Sequence, residues 1–164
     1  MKNKALFLDR DGTINVDYAY VYKTEDFKFV DGIVELCQKA QEKGYKIIVI
    51  TNQSGVERGY YTFDDMNNFN EFMKSEFEKS GVKITDIYCC PYLEHPDRKP
   101  APGMFIRAGK EHNIDMKNSV STGDKKRDID AARASGIVKN FLFSDKEEAD
   151  YQTVKKLTDI IQYL

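Results

Sequence analysis

The stretch Ala5-Leu6-Phe7-Leu8-Asp9-Arg10-Asp11-Gly12-Thr13 runs from an uninterrupted apolar segment into two carboxylates one residue apart and then a glycine. The apolar part reads as a short strand over Ala5 to Leu8, and Asp11-Gly12 reads as a turn that ends it. Polar residues just past such a strand lie where open α/β sheets collect their ligands. The residues at the ends of the other apolar runs therefore decide what this chain can do.

Further runs with strand character fall at Ile47 to Ile50, Ile84 to Cys90, Ser119 to Thr122 and Phe141 to Phe143. The intervening stretches read as helices. Asp64 to Lys79 places Met66, Phe69, Met73 and Phe77 at spacings of three and four, one apolar stripe. Ile33 to Lys43 carries a comparable pattern, makes Cys37 a buried helix residue, and stops at Gly44. Pro102 to Glu111 and Lys125 to Ser135 continue the series, with Gly136 past the latter, and Glu147 to Leu164 is expected as a closing helix. This β/α alternation predicts an α/β fold with a mainly parallel sheet covered by helices on both faces, since parallel neighbours need crossover connections.

With 164 residues, 41% of them hydrophobic, the chain suits one domain over residues 1–164, and no linker or repeat divides it. Twenty-five basic against 27 acidic side chains leave a net charge of -2, so no overall field favours nucleic acid or an anionic membrane. The N-terminus runs straight into the first strand without a secretory pattern, and no apolar run is long enough for a bilayer. Cys37, Cys89 and Cys90 form an odd set with an adjacent pair, which favours a reducing compartment. The expectation is a cytoplasmic monomer.

The strand ends deliver an ordered set. Asp9 and Asp11 follow the first run, Thr51-Asn52 the second, Arg98-Lys99 lie beyond the third, and Gly123-Asp124 follow the fourth, with Asp128 nearby. Each has an ordinary reading alone: Asp-Gly turns, Thr or Asp helix caps and solvated basic pairs are common. Their joint placement points to phosphoryl transfer. A carboxylate nucleophile attacking a phosphate ester needs a cation to neutralise both partners, and Asp9 and Asp124 can hold Mg²⁺. Asp11 is placed to protonate the leaving oxygen and then to activate water. Thr51 offers a hydroxyl and Lys99 a fixed positive charge to the phosphoryl oxygens.

The run DRDGT after LFL, with Thr, Lys and acidic motifs later in that order, resembles the haloacid dehalogenase superfamily, and the resemblance spans nearly the whole chain. It implies a Rossmann-like three-layer sandwich, Mg²⁺ dependence, and a metal contact from the backbone carbonyl of Asp11. The stretches ALFLDRDGTINVDYAYV, FKFVDGI, ITNQSGVERGYYT and RKPAPGM are similar to the heptose 1,7-bisphosphate 7-phosphatase family, and histidinol-phosphatases share part of the pattern. That similarity implies no large cap domain and removal of the 7-phosphate from a small phosphorylated sugar. It also implies substrate contacts from Asp17, Tyr18, Ala19, Tyr20, Asn52, Gln53, Ser54, Arg98 and Lys125. Loops Asn15 to Val30 and Ser54 to Tyr61 are expected to close over the sugar, and Pro91 to Pro102 is a further candidate flap.

In typical members a zinc loop carries C-x-H and then C-x-C before the Arg-Lys pair. Here Cys89, Cys90 and His95 supply three ligands at poor spacing, so structural zinc is expected to be absent. The competing readings are a histidinol-phosphate or other small-molecule phosphatase and, in a different class, a receiver-like phosphoacceptor. Asp11 separates the last, because an acid–base group hastens the hydrolysis that a lasting signal must avoid.

Overall fold

In the computed structural model, which describes residues 1–164, side chains of the first strand, β1 (Lys4–Leu8), point alternately into two cores. Leu6 and Leu8 enter one, Ala5 and Phe7 the other, all at most 1% exposed. A strand apolar on both faces must be covered on both. On the first face lie α1 (Ile33–Glu42) and α2 (Phe63–Glu78), through Leu36, Cys37, Met73 and Phe77. On the second lie α3 (Gly103–Glu111) and α4 (Lys126–Ala134), through Met104, Phe105, Ala131 and Ala132. This is the three-layer α/β sandwich.

The sheet contains β2 (Tyr45–Asn52), β3 (Ile84–Cys90), β4 (Val120–Gly123), β5 (Lys139–Phe143) and β6 (Gln152–Val154) besides β1. Its order is β3-β2-β1-β4-β5-β6, and every pairing is parallel. The strand order reverses at β1, which pairs with β2 on one side and β4 on the other. Diverging connections open a crevice at that switch point, above the carboxyl ends of the strands. No helix is long and apolar enough to cross a membrane.

The expected closing helix over Glu147 to Leu164 is not formed. The segment contributes the edge strand β6 and then a 3₁₀ helix, Leu157–Tyr163. Leu157 and Ile160, both fully buried, stand three residues apart. Spacing by threes suits the three-residue turn of a 3₁₀ helix as well as one side of an α-helix, and Gln152-Thr153-Val154 satisfies an edge that β5 leaves open.

Candidate active site

Asp9 comes directly after β1, its N–H bonding to the Thr122 carbonyl of β4 at 3.2 Å, so it sits between the two diverging strands. The chain then turns sharply. The Arg10 carbonyl accepts from the N–H groups of Thr13, Ile14 and Asn15, and Gly12 takes φ +86°, a conformation costly for any residue with a Cβ. A Cβ at Gly12 would lie 2.2 Å from Asp124 Oδ2, so the glycine also allows the two loops to approach. The turn returns Asp11 to the mouth of the crevice.

Lys99 arrives from the loop after β3. Asn52, the last residue of β2, fixes its backbone from both sides, donating from Nδ2 to the Lys99 carbonyl at 3.1 Å and accepting the Lys99 N–H on Oδ1 at 3.0 Å. Lys99 Nζ, 2% exposed, donates to Asp9 Oδ1 at 3.0 Å, to Asp128 at 2.7 Å and to the Ile50 carbonyl at 2.6 Å. Asp128 also caps α4 by accepting the Lys125 N–H at 3.0 Å. Burial alone disfavours a charged lysine, but Asp128 and Asp9 hold its pKa above the ordinary value.

Asp9, Asp124 and Asp128 bring carboxylate oxygens within 4.8 Å of one another. Burial raises the Asp9 pKa well above the usual carboxylate range, Asp128 and Asp124 add to the shift, and Lys99 opposes it. Asp124 is raised by burial and by Asp128. Its Oδ1 is buried without a partner. Three carboxylates against one lysine, with an orphaned oxygen among them, form a donor set that fits a hard divalent cation.

These groups line a cavity of about 290 Å³. Asp9, Asp11, Lys99 and Asp124 share it with Asp17, Ala19, Tyr20, Asn52, Gln53, Ser54, Arg98 and Lys125. Tyr18 is 61% exposed and stands outside it. Thr51 is 1% exposed and lies behind the wall, its hydroxyl accepting from Gln53 Nε2 at 2.9 Å. Gln53 is itself only 2% exposed, so its amide is spent on protein partners. The loop after β1 meets the loop after β2 through the Tyr22–Tyr61 stack and the edge-on pair Tyr20–Tyr60. Ala19 and Tyr20 hold positive φ there, 65° and 54°, where Asp17 accepts the Ala19 N–H at 2.8 Å.

Arg58, Tyr61, Arg127 and Asp128 also line the cavity; the sequence placed Asp128 near the strand-end set and Arg58 and Tyr61 in a loop expected to close over the sugar, but gave none of the four an individual role. Asp128 carried a signal, an acidic residue in the first turn of a helix just past a strand-end aspartate. The arginines carried none, because nothing local in a loop or on a helix says which way a long side chain turns. Cys90 and Cys89 engage the Tyr92 carbonyl and Asn70 Nδ2, while the Tyr92 ring lies tilted against His95 at 5.1 Å and Asp97 pairs with Arg107 at 2.8 Å.

Residues 4–158 match the model of the polynucleotide kinase 3 phosphatase family. The chain belongs to the haloacid dehalogenase-like phosphatases. It is 45% identical over 166 residues to D-glycero-alpha-D-manno-heptose-1,7-bisphosphate 7-phosphatase of Campylobacter jejuni, covering 99% of this chain and 96% of that one. It is 41% identical over 145 residues to the D-glycero-beta-D-manno-heptose-1,7-bisphosphate 7-phosphatase of Yersinia pestis, covering 81% and 76%. Among solved structures, D,D-heptose 1,7-bisphosphate phosphatase from B. bronchiseptica, complexed with magnesium and phosphate, superposes with a TM-score of 0.85 at 23% identity, covering 98% and 97%. A haloacid dehalogenase-like protein of Mesorhizobium loti superposes at 0.89 with 29% identity, covering 98% and 85%. In this phosphatase the crevice at the switch point is therefore the place to look for phosphoester chemistry.

Proposed function

We propose that this phosphatase is Mg²⁺-dependent, works through an aspartyl-phosphate on Asp9, and removes the 7-phosphate of D-glycero-D-manno-heptose 1,7-bisphosphate. The observation that carries the chemistry is the largely buried Asp9 carboxylate, tied to Lys99 at 3.0 Å and facing the same cavity as Asp11 and Asp124. Asp9 Oδ attacks phosphorus as the bond from phosphorus to the sugar oxygen breaks, and Asp11 gives that oxygen its proton. Asp11 then takes a proton from water as the water oxygen attacks phosphorus and the bond to Asp9 breaks. Lys99 neutralises phosphoryl oxygens in both halves.

Asp9 and Asp124, with the Asp11 carbonyl, are the proposed holders of Mg²⁺, which supplies the charge neutralisation that lets a carboxylate approach a phosphate dianion. No structural zinc belongs to this reading, and stoichiometric zinc in purified protein overturns that part. Two observations support the substrate: similarity to relatives that bear this activity in their names, and a cationic rim of Arg58, Arg98, Lys125 and Arg127 about the carboxylates. Such a rim suits a substrate with a second anionic group. Comparison of kcat/KM on both anomers of heptose 1,7-bisphosphate and on histidinol phosphate tests the assignment. Preference for a heptose anomer is expected, and equal values overturn it.

A further inference from the structure

We infer that Gln53 is a positioning residue for Asp11, held in place by Arg10 and Tyr61, and not a contact to substrate; this rests on the reading of Asp11 as the proton-transfer group. Arg10, wholly buried, donates from Nε to Asp11 Oδ1 at 3.2 Å and from Nη2 to both Asp11 oxygens at 3.1 Å. Asn15 Nδ2 adds a bond to Oδ1 at 3.1 Å, and Gln53 Nε2 one to Oδ2 at 2.8 Å. The carboxylate is thus gripped at both oxygens from behind, while 21% of its side chain stays open to the cavity.

The direction of the Gln53 amide is set by its partners. Tyr61 Oη and Arg10 Nη2 both donate to Oε1, so Nε2 must face Asp11 and the Thr51 hydroxyl. Burial pushes the Tyr61 pKa up to about 12, which keeps its hydroxyl a donor. Arg10 is anchored in turn by Asn70 Oδ1 at 3.1 Å, by the Val21 carbonyl at 2.8 Å, and by the Phe69 ring 4.4 Å beneath its guanidinium. The chain Tyr61–Gln53–Asp11 therefore ties the loop after β2 to the turn after β1, with the buried guanidinium as its fixed point. A proton donor must lie within hydrogen-bond reach of the leaving oxygen throughout transfer, and small displacements are costly there.

The test uses Gln53→Met, Tyr61→Phe, Asp11→Asn and the Asp11→Asn/Gln53→Met double variant, with Mg²⁺ present, in single-turnover reactions. Phenyl phosphate needs a proton on its leaving group far more than p-nitrophenyl phosphate, and the two differ little in shape. Gln53→Met is expected to slow phenol release about tenfold or more, p-nitrophenolate release less than about twofold, at unchanged half-saturation. Tyr61→Phe, which removes one hydroxyl, should show the same pattern more weakly and serves alone if Gln53→Met does not fold. In the Asp11→Asn background Gln53→Met should change little. A raised half-saturation at unchanged rate makes Gln53 a substrate contact and overturns the inference. So does an equal loss on both esters, or an undiminished loss in the Asp11→Asn background. A wild-type rate for Asp11→Asn on phenyl phosphate instead refutes the proton-transfer reading beneath it.

Discussion

Gly12→Ala separates the cost of folding from the cost of function at this site. Gly12 has φ +86°, and placing alanine in that region costs about 1–2 kcal/mol. The new methyl also meets Asp124 Oδ2 at 2.2 Å and its Cγ at 2.6 Å. Those atoms belong to a side chain, not to backbone, so Asp124 can swing aside. Moving it relieves repulsion with Asp128, which offsets part of the strain. The expected loss of stability in metal-free protein is therefore close to the backbone cost alone, a fall in Tm of roughly 2–8 °C at this chain length. Metal affinity has no such offset. Displacing one of the two proposed carboxylate ligands should raise the Mg²⁺ concentration for half-maximal activity at least about tenfold, about 1.4 kcal/mol. Gly44→Ala is the control, with φ +85° and no atom within 4 Å of its added Cβ. It should show the same loss of Tm with unchanged Mg²⁺ dependence. Calorimetry without metal and Mg²⁺ titration of activity provide both readouts. Wild-type Mg²⁺ dependence in Gly12→Ala refutes the placing of Asp124 in the metal site.

The carboxylate cluster makes metal-free stability depend on pH in a defined direction. Asp9 and Asp124 have folded pKa values above their unfolded ones, so their contribution is fully present below the ordinary carboxylate range and is lost as pH rises through the raised values. Without Mg²⁺ the Tm should fall across that window, and the gain from saturating Mg²⁺ should grow as pH rises from the ordinary carboxylate range through the raised values; a gain that shrinks over that rise contradicts the clustering. At the far end of the chain, Leu157→Ala or Ile160→Ala removes a fully buried side chain and should cost about 2–5 kcal/mol in denaturant unfolding with KM unchanged. A loss under about 1 kcal/mol means that the terminal 3₁₀ segment is not part of the core.

Local pattern carried much of the fold because its elements satisfy themselves locally. The stripe Met66, Phe69, Met73, Phe77 marks α2, and Ala5 to Leu8 marks β1, since burial on a helix stripe or on both faces of a strand leaves a periodic trace. The terminal segment misled because one buried pair at a spacing of three suits two helix types, and only the open edge of β5 decided for β6. Motif order likewise brought Asp9, Asp11, Lys99 and Asp124 into view, because parallel strands deliver their carboxyl ends to one rim whatever the side-chain details.

Which way each polar group turns was a different matter. Gln53, a substrate contact by family resemblance, lines the cavity yet is buried among Arg10, Tyr61, Thr51 and Asp11. Arg10, the unassigned middle residue of the DRD run, is its anchor, and Tyr18 is exposed and does not line the cavity that its neighbours line. By itself the sequence determined strands β1 to β5 and the carboxylates that follow β1 and β4, because those arise from periodicity and chain connectivity. The tertiary structure alone decided which donors surround each carboxylate, because side chains 43 and 60 residues apart find one another only once the crossovers have packed.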